Sequence, residues 1–165
     1  MSRMCFPSVE RATAKCGRWY GRLDTSSAYA GACELCMIEL IPHLFIGNWH
    51  EARAAQGFHV ITVAADSEFI GHQHFRLVDG PGNLASVFHG AVQAVCNAHR
   101  SGGNVLVHCV GGRSRSAAVA VAAAVRLTGR PLCEVYEELL RKHDGPGTGA
   151  RIHPHLAVVL LEYSE

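Results

Sequence analysis

From Leu84 onward the apolar positions 84, 87, 88, 91, 95 and 98 recur at the spacing of one helix face, with Asn83 placed to cap the start and Gly102 beyond the end. A turn at Gly102-Gly103-Asn104 then leads into Val105-Leu106-Val107, a short apolar run that reads as a strand. Residues Ala117 to Val125 are apolar on nearly every side, which predicts a helix buried at the centre of the molecule, closed by Gly129 with Pro131 just past it. Leu132, Val135, Tyr136, Leu139 and Leu140 mark a further amphipathic helix, and Leu156, Val159, Leu160 and Tyr163 a last one. Strands early, helices mostly late and a strand-to-helix junction in the middle predict an α/β sandwich, three-layered, around a central mixed sheet of about four or five strands flanked by helices. Residues 1–36 carry no sustained apolar pattern. Arg3, Arg11, Lys15, Arg18 and Arg22 outnumber Glu10 and Asp24 there, so this stretch reads as a basic, loosely ordered extension ahead of one folded domain over residues 37–165.

The strand-to-helix junction carries the chemistry. His108 to Ser116 reads HCVGGRSRS, placing Cys109 and Arg115 six positions apart. The same separation joins Cys5 to Arg11 and Cys16 to Arg22, but neither of those pairs has a strand before it. A loop entering a helix N-terminus aims successive backbone N–H groups at the oxygens of a phosphate dianion, aided by the positive end of the helix dipole. Gly111 and Gly112 let that loop, Val110 to Arg115, curl tightly. Arg115 adds a bidentate fork that lysine cannot reproduce, and its charge stabilises the phosphoryl group in transit. The same positive field favours the thiolate of Cys109, the form that attacks phosphorus. His108 is assigned hydrogen bonding beneath the loop, and Ser116 a hydrogen bond to the sulfur as it leaves.

HCVGGRSRS resembles the Cys-x5-Arg signature of the protein tyrosine phosphatase superfamily, and its Arg-Ser ending resembles the dual-specificity branch. The tyrosine-specific branch usually ends in Gly-Arg-Thr-Gly, where this chain has Ser114-Arg115-Ser116-Ala117. The resemblance runs over roughly residues 37–164. Ile41-Pro42-His43-Leu44-Phe45-Ile46-Gly47 is similar to the branch's opening strand pair and Val60-Ile61-Thr62-Val63 to its next strand. Arg151-Ile152-His153-Pro154-His155 is similar to its closing element, with His155 where Asn is more usual. A phosphatase fold is implied, with an atypical small dual-specificity catalytic domain at 37–165. The implied activity is hydrolysis of phosphotyrosine and phosphoserine/threonine in proteins through a phosphocysteine.

Such a reaction needs a general acid to protonate the leaving oxygen. Asp79, in Arg76-Leu77-Val78-Asp79-Gly80-Pro81-Gly82, follows a strand-like stretch thirty residues before Cys109, in the region and order where the family places its acid. Asp144-Gly145-Pro146-Gly147 repeats the same four letters, so local sequence alone leaves both open; order in the chain favours Asp79. Asp66 reads as a turn or cap residue after a strand.

Composition narrows the remaining classes. The 165 residues suit a single core, and a net charge of +1 argues against a general nucleic-acid binder. The nine-residue apolar run Ala117–Val125 falls short of the ~20 a membrane span needs. With no apolar N-terminal leader and Ser2 excluding myristoylation, the expected address is the cytoplasm or nucleus, and the expected state a monomer. Seven cysteines in such a compartment read as thiols. Cys33 and Cys36 lack the spacing partners of a zinc module, and Cys96 and Cys133 read as small core residues. The eleven histidines, including His72-Gln73-His74 and His153-Pro154-His155, read as surface or core groups, so no metal and no cofactor are expected. Trp19 and Tyr20 read as anchors of the extension. Arg113 adds charge where lipid-phosphatase relatives often carry lysine. The alternative substrate to a phosphoprotein is therefore a phosphoinositide or another highly charged phosphate, and the second alternative is a phosphate-binding module without turnover.

Overall fold

The computed structural model describes residues 37–67, 71–143 and 150–164; the extension read over residues 1–36, with its cysteines, Trp19 and Tyr20, lies outside them. Five strands, β1 (Ile38–Ile41), β2 (Leu44–Gly47), β3 (Phe58–Thr62), β4 (Gln73–His74) and β5 (Asn104–His108), form one sheet in the order β1-β2-β5-β3-β4. β1 and β2 run antiparallel, while β5 lies parallel to both β2 and β3, and β4 parallel to β3. The central position of β5 follows from its composition. Val105, Leu106 and Val107 are all fully buried, as a strand covered on both faces requires.

Alternation along the strands divides the core in two. Leu44, Ile46, Ile61, Val105 and Val107 face the larger cluster, under α2 (Ala85–Arg100), α3 (Arg115–Thr128), α4 (Leu132–Lys142) and α5 (Pro154–Leu160). Phe45, Phe58, Val60 and Leu106 face the other way, against Ala52 of the short helix α1 (Trp49–Ala54). The apolar pattern did not reveal α1; its signal is the capping box. The Asn48 side chain accepts from Glu51 N–H at 3.0 Å and the Glu51 carboxylate accepts from Asn48 N–H at 2.6 Å.

Every residue of α3 from Arg115 to Ala124 is buried, so this is the central helix the all-round apolar run predicts. It ends at Gly129, whose φ of 68° lets its N–H reach the Val125 carbonyl at 2.8 Å. Two expectations about β4 and α4 fail. The stretch before Asp79 is not a strand: after β4 the Leu77 N–H turns back onto the Phe75 carbonyl at 3.0 Å and leaves the ladder. Cys133 is exposed rather than core, because α4 buries Val135 and Leu139 and turns Cys133 to solvent; Cys96 is buried as read. Among the described residues no helix is long and apolar enough to cross a membrane.

Candidate active site

The loop from β5 to α3 wraps around the Cys109 sulfur. Gly112 N–H donates to Sγ at 3.2 Å, and Ser116 Oγ, on the first turn of α3, lies 3.2 Å from it. Gly112 takes a φ of +67°, and a Cβ there would sit 2.8 Å from the Gly47 carbonyl carbon and oxygen at the end of β2. That close approach of two backbones requires glycine. Gly111 has no such constraint, its nearest neighbour being the Arg113 side chain at 3.9 Å. The loop is braced from outside by Trp49 N–H to the Val110 carbonyl at 3.2 Å and by Arg151 N–H to the Arg113 carbonyl at 2.9 Å. From within, His143 Nε2 reaches the Gly112 carbonyl at 3.3 Å. His108 lies beneath as expected: a carbonyl only accepts, so its Nδ1–H donates to Cys109 O at 3.2 Å, while Nε2 pairs with the Thr62 hydroxyl at 2.7 Å.

Ser114 occupies the N-cap of α3 without capping it. Its hydroxyl instead donates to Asp79 Oδ1 at 2.5 Å and accepts from His153 N–H at 2.9 Å. One buried side chain thus joins the signature loop, the Asp79 loop and the entry to α5, and leaves the first amides of α3 to other acceptors. The Asp79 loop is itself fastened. Asn83 does not cap α2, whose N-cap is Leu84 without a side-chain bond. Its Nδ2 donates to the Val78 and Gly80 carbonyls at 2.8 and 3.1 Å, and its Oδ1 accepts from Val78 N–H at 2.8 Å. Asn83 therefore commits both its amide protons and one oxygen lone pair to closing the turn that carries Asp79, one residue before the N-cap position. Asp144 lies outside the described residues.

Arg115 is buried, and sequence reasoning missed its partner. Asp66, in the turn after β3, hydrogen-bonds Arg115 Nη1, which also lies 3.4 Å from the Leu77 carbonyl. The guanidinium holds the Asp66 carboxyl below the usual carboxylate range, first through that hydrogen bond. Arg115 Nε, also buried, has no hydrogen-bond partner. Forty-nine residues separate the pair, so no local signal could have announced it.

A cavity of about 270 Å³ beside the loop is lined by Trp49, His50, Asp66, Ser67 and Val110. A larger one, about 610 Å³, opens at the far end of α3, roughly 20 Å from Cys109 by helix rise. Several of its polar groups are already paired, His89 with Tyr163 Oη at 2.6 Å and with Glu162 at 3.0 Å, and Arg130 with Glu138 outside the lining at 2.5 Å. Of the two, the smaller borders the Cys109 loop, through Val110.

No family model matches the chain. Among curated relatives, human dual specificity protein phosphatase 1 is 30% identical over 112 residues, covering 61% of this chain and 30% of its own. Arabidopsis thaliana dual specificity protein phosphatase 1 is 33% identical over 91 residues, covering 51% and 46%. Among solved structures, a mouse dual specificity phosphatase in complex with zinc tungstate superposes with a TM-score of 0.64 at 26% identity, over 86% of this chain and 92% of that one. In sequence and in fold the chain is similar to dual-specificity phosphatases. A single-residue variant of human DUSP28 agrees, with a TM-score of 0.62 at 25% identity over 78% and 93% of the two chains. The five-stranded mixed sheet with flanking helices is the phosphatase fold that the resemblance implied. The chain spans less than half the length of the curated dual-specificity phosphatases it matches. The closing Pro154, where the sequence departs from the family at His155, is the first residue of α5, capped by the His153 ring, which accepts from His155 N–H at 3.4 Å.

Proposed function

We propose that this domain is a cysteine-dependent phosphoric monoester hydrolase acting on phosphotyrosine and phosphoserine or phosphothreonine in proteins. One observation carries the reading. The Cys109 sulfur receives the Gly112 N–H and faces the Ser116 hydroxyl, both at 3.2 Å, at the head of a loop that also holds Arg115. The loop thus gathers hydrogen-bonding groups around the sulfur, and a buried Arg115 Nε without a partner is open to an oxyanion. The mouse relative is in complex with zinc tungstate, and tungstate is a tetrahedral oxyanion like phosphate, which supports a phosphate-binding reading.

In the first step the Cys109 thiolate attacks phosphorus and the ester P–O bond breaks. Asp79, as the carboxylic acid, delivers its proton to the leaving oxygen. The loop's main-chain N–H groups other than that of Gly112, which bonds the sulfur, and the Arg115 fork hold the equatorial oxygens as charge redistributes. In the second step Asp79, now a carboxylate, takes a proton from water as the water attacks phosphorus. The S–P bond breaks, the thiolate returns to the Ser116 and Gly112 donors, and inorganic phosphate leaves. Asp79 is favoured as the acid by its bond to Ser114, which ties its carboxylate to the residue next to Arg115.

Phosphate release is the test, measured on a peptide carrying phosphotyrosine and phosphothreonine and on a soluble phosphoinositide at matched concentration, with Cys109→Ser as blank. Turnover of the peptide at both residues, absent in the blank, is expected, with Arg115→Lys crippled. Preference for the lipid would overturn the substrate class, and silence on both would replace the enzyme by a phosphate-binding module.

A further inference from the structure

We infer that Asp66 is a positioning residue for Arg115, holding the guanidinium by its Nη1 corner so that its remaining edge faces the phosphate. The inference rests on the phosphatase reading above and adds to it a residue that the signature does not contain. An arginine side chain has several rotatable bonds, and its fork binds an oxyanion in bidentate fashion only in one orientation. Most of that freedom is removed by burial, since the Arg115 side chain is 7% exposed, but burial alone does not choose which nitrogens point where.

The contacts choose. Nη1 receives both acceptors found at the far end of the side chain, the Asp66 carboxylate and the Leu77 carbonyl. Nε is buried and unpartnered, as it must be if it serves a ligand that comes and goes. A carboxylate competing with substrate would sit across the Nε edge; this one sits at the opposite corner. Asp66 is well suited to the part, because its own side chain is 63% exposed on the cavity wall, where solvent keeps its charge from cancelling the field at the sulfur. It also connects two parts of the site. Asp66 follows β3, Leu77 precedes Asp79, and the Ala65 N–H donates to the Leu77 carbonyl at 2.8 Å. The orientation of the arginine and the place of the Asp79 loop are therefore set by one bracket.

The test uses Asp66→Ala and Asp66→Asn, each in the wild-type and Arg115→Lys backgrounds. It reads kcat and KM for nitrophenyl phosphate, tungstate affinity by calorimetry, and Tm. Loss of the bracket should lower kcat/KM by about 10- to 100-fold in Asp66→Ala, the scale of an angstrom-level misplacement of a catalytic group, and weaken tungstate binding in parallel. Asp66→Asn, which keeps a carbonyl acceptor at the same place, should recover part of both. In the Arg115→Lys background, Asp66→Ala should change kcat/KM far less, since a residue acting through another has nothing left to act on. Equal losses in both backgrounds, tighter tungstate binding in Asp66→Ala, or a fall in Tm with unchanged turnover and affinity would each overturn the role. Should Asp66→Ala fail to fold, Asp66→Asn carries the same comparisons. A wild type that binds tungstate without turning over any phosphoester would overturn the phosphatase reading alone; weaker tungstate binding in Asp66→Ala would then still sustain the positioning role.

Discussion

Gly111 and Gly112 are neighbours in the same loop and identical in sequence terms, yet alanine should be accepted at one and rejected at the other. At Gly112 two penalties combine. A φ of +67° holds an L side chain in the left-handed region, at about 1–2 kcal/mol. The new Cβ would also stand 2.8 Å from the Gly47 carbonyl group and 3.0 Å from Asn48 N, all backbone atoms that cannot rotate away. Forcing them apart costs about 1–3 kcal/mol more. Together these predict a loss of roughly 2–5 kcal/mol, read as a fall in Tm of roughly 5–15 °C for a domain of this size. Turnover should suffer further than stability, because relief of the contact moves the N–H that donates to the Cys109 sulfur. Gly111→Ala meets nothing nearer than 3.9 Å and should keep both Tm and turnover close to wild type. The assay is thermal denaturation beside steady-state hydrolysis of nitrophenyl phosphate for both variants. A Gly112→Ala protein with wild-type Tm and rate, or two variants impaired alike, would refute the reasoning.

Asp79→Asn should slow hydrolysis of phosphoserine and phosphothreonine esters, whose leaving groups are poor, far more than of nitrophenyl phosphate; the same pattern in Asp144→Asn instead would reassign the acid. Asn83→Ala removes the three hydrogen bonds that close the Asp79 turn. It should lower stability by about 1–2 kcal/mol and reproduce a milder form of the Asp79→Asn leaving-group dependence; an unchanged profile would show that the turn holds itself. The Asp66 carboxyl titrates below its usual value in the folded chain, so its contribution to stability is present above the unfolded carboxylate range, near pH 4, and is lost as pH falls through the lowered value. The urea midpoint of the wild type should therefore drop relative to that of Asp66→Asn as the pH falls below about 4; a constant gap would mean that Asp66 is not paired in the folded protein.

Much of the site was legible because it is local. Cys109, Gly112, Arg115 and Ser116 fall within eight consecutive residues, and a loop joining a strand to a helix N-terminus brings such residues together by backbone geometry alone. Helices α2, α3, α4 and α5 were legible for a related reason, since burial of one face or of all faces is written in apolar spacing. Where local sequence misled, a tertiary contact had outcompeted it. Asn83 has the composition of a cap, but its amide finds better partners in the turn it closes. The run before Asp79 has strand-like residues, but regular pairing ends at His74: beyond it the Leu77 N–H turns back onto the Phe75 carbonyl, and only isolated bonds such as Ala65 N–H to the Leu77 carbonyl tie it to the chain after β3.

By itself, then, the chain's order of residues determined the tight loop that gathers Cys109, Gly112, Arg115 and Ser116 and the buried helix that follows it, because each depends on neighbours within a turn or two. Tertiary structure alone decided which carboxylate meets which partner. Asp66 reaches Arg115, and Asp79 reaches Ser114, only because β4, β3 and β5 lie side by side and parallel, delivering their carboxyl ends to the same edge of the sheet. Strand pairing is a long-range choice made by the burial of both faces of β5, and no spacing within the sequence records it.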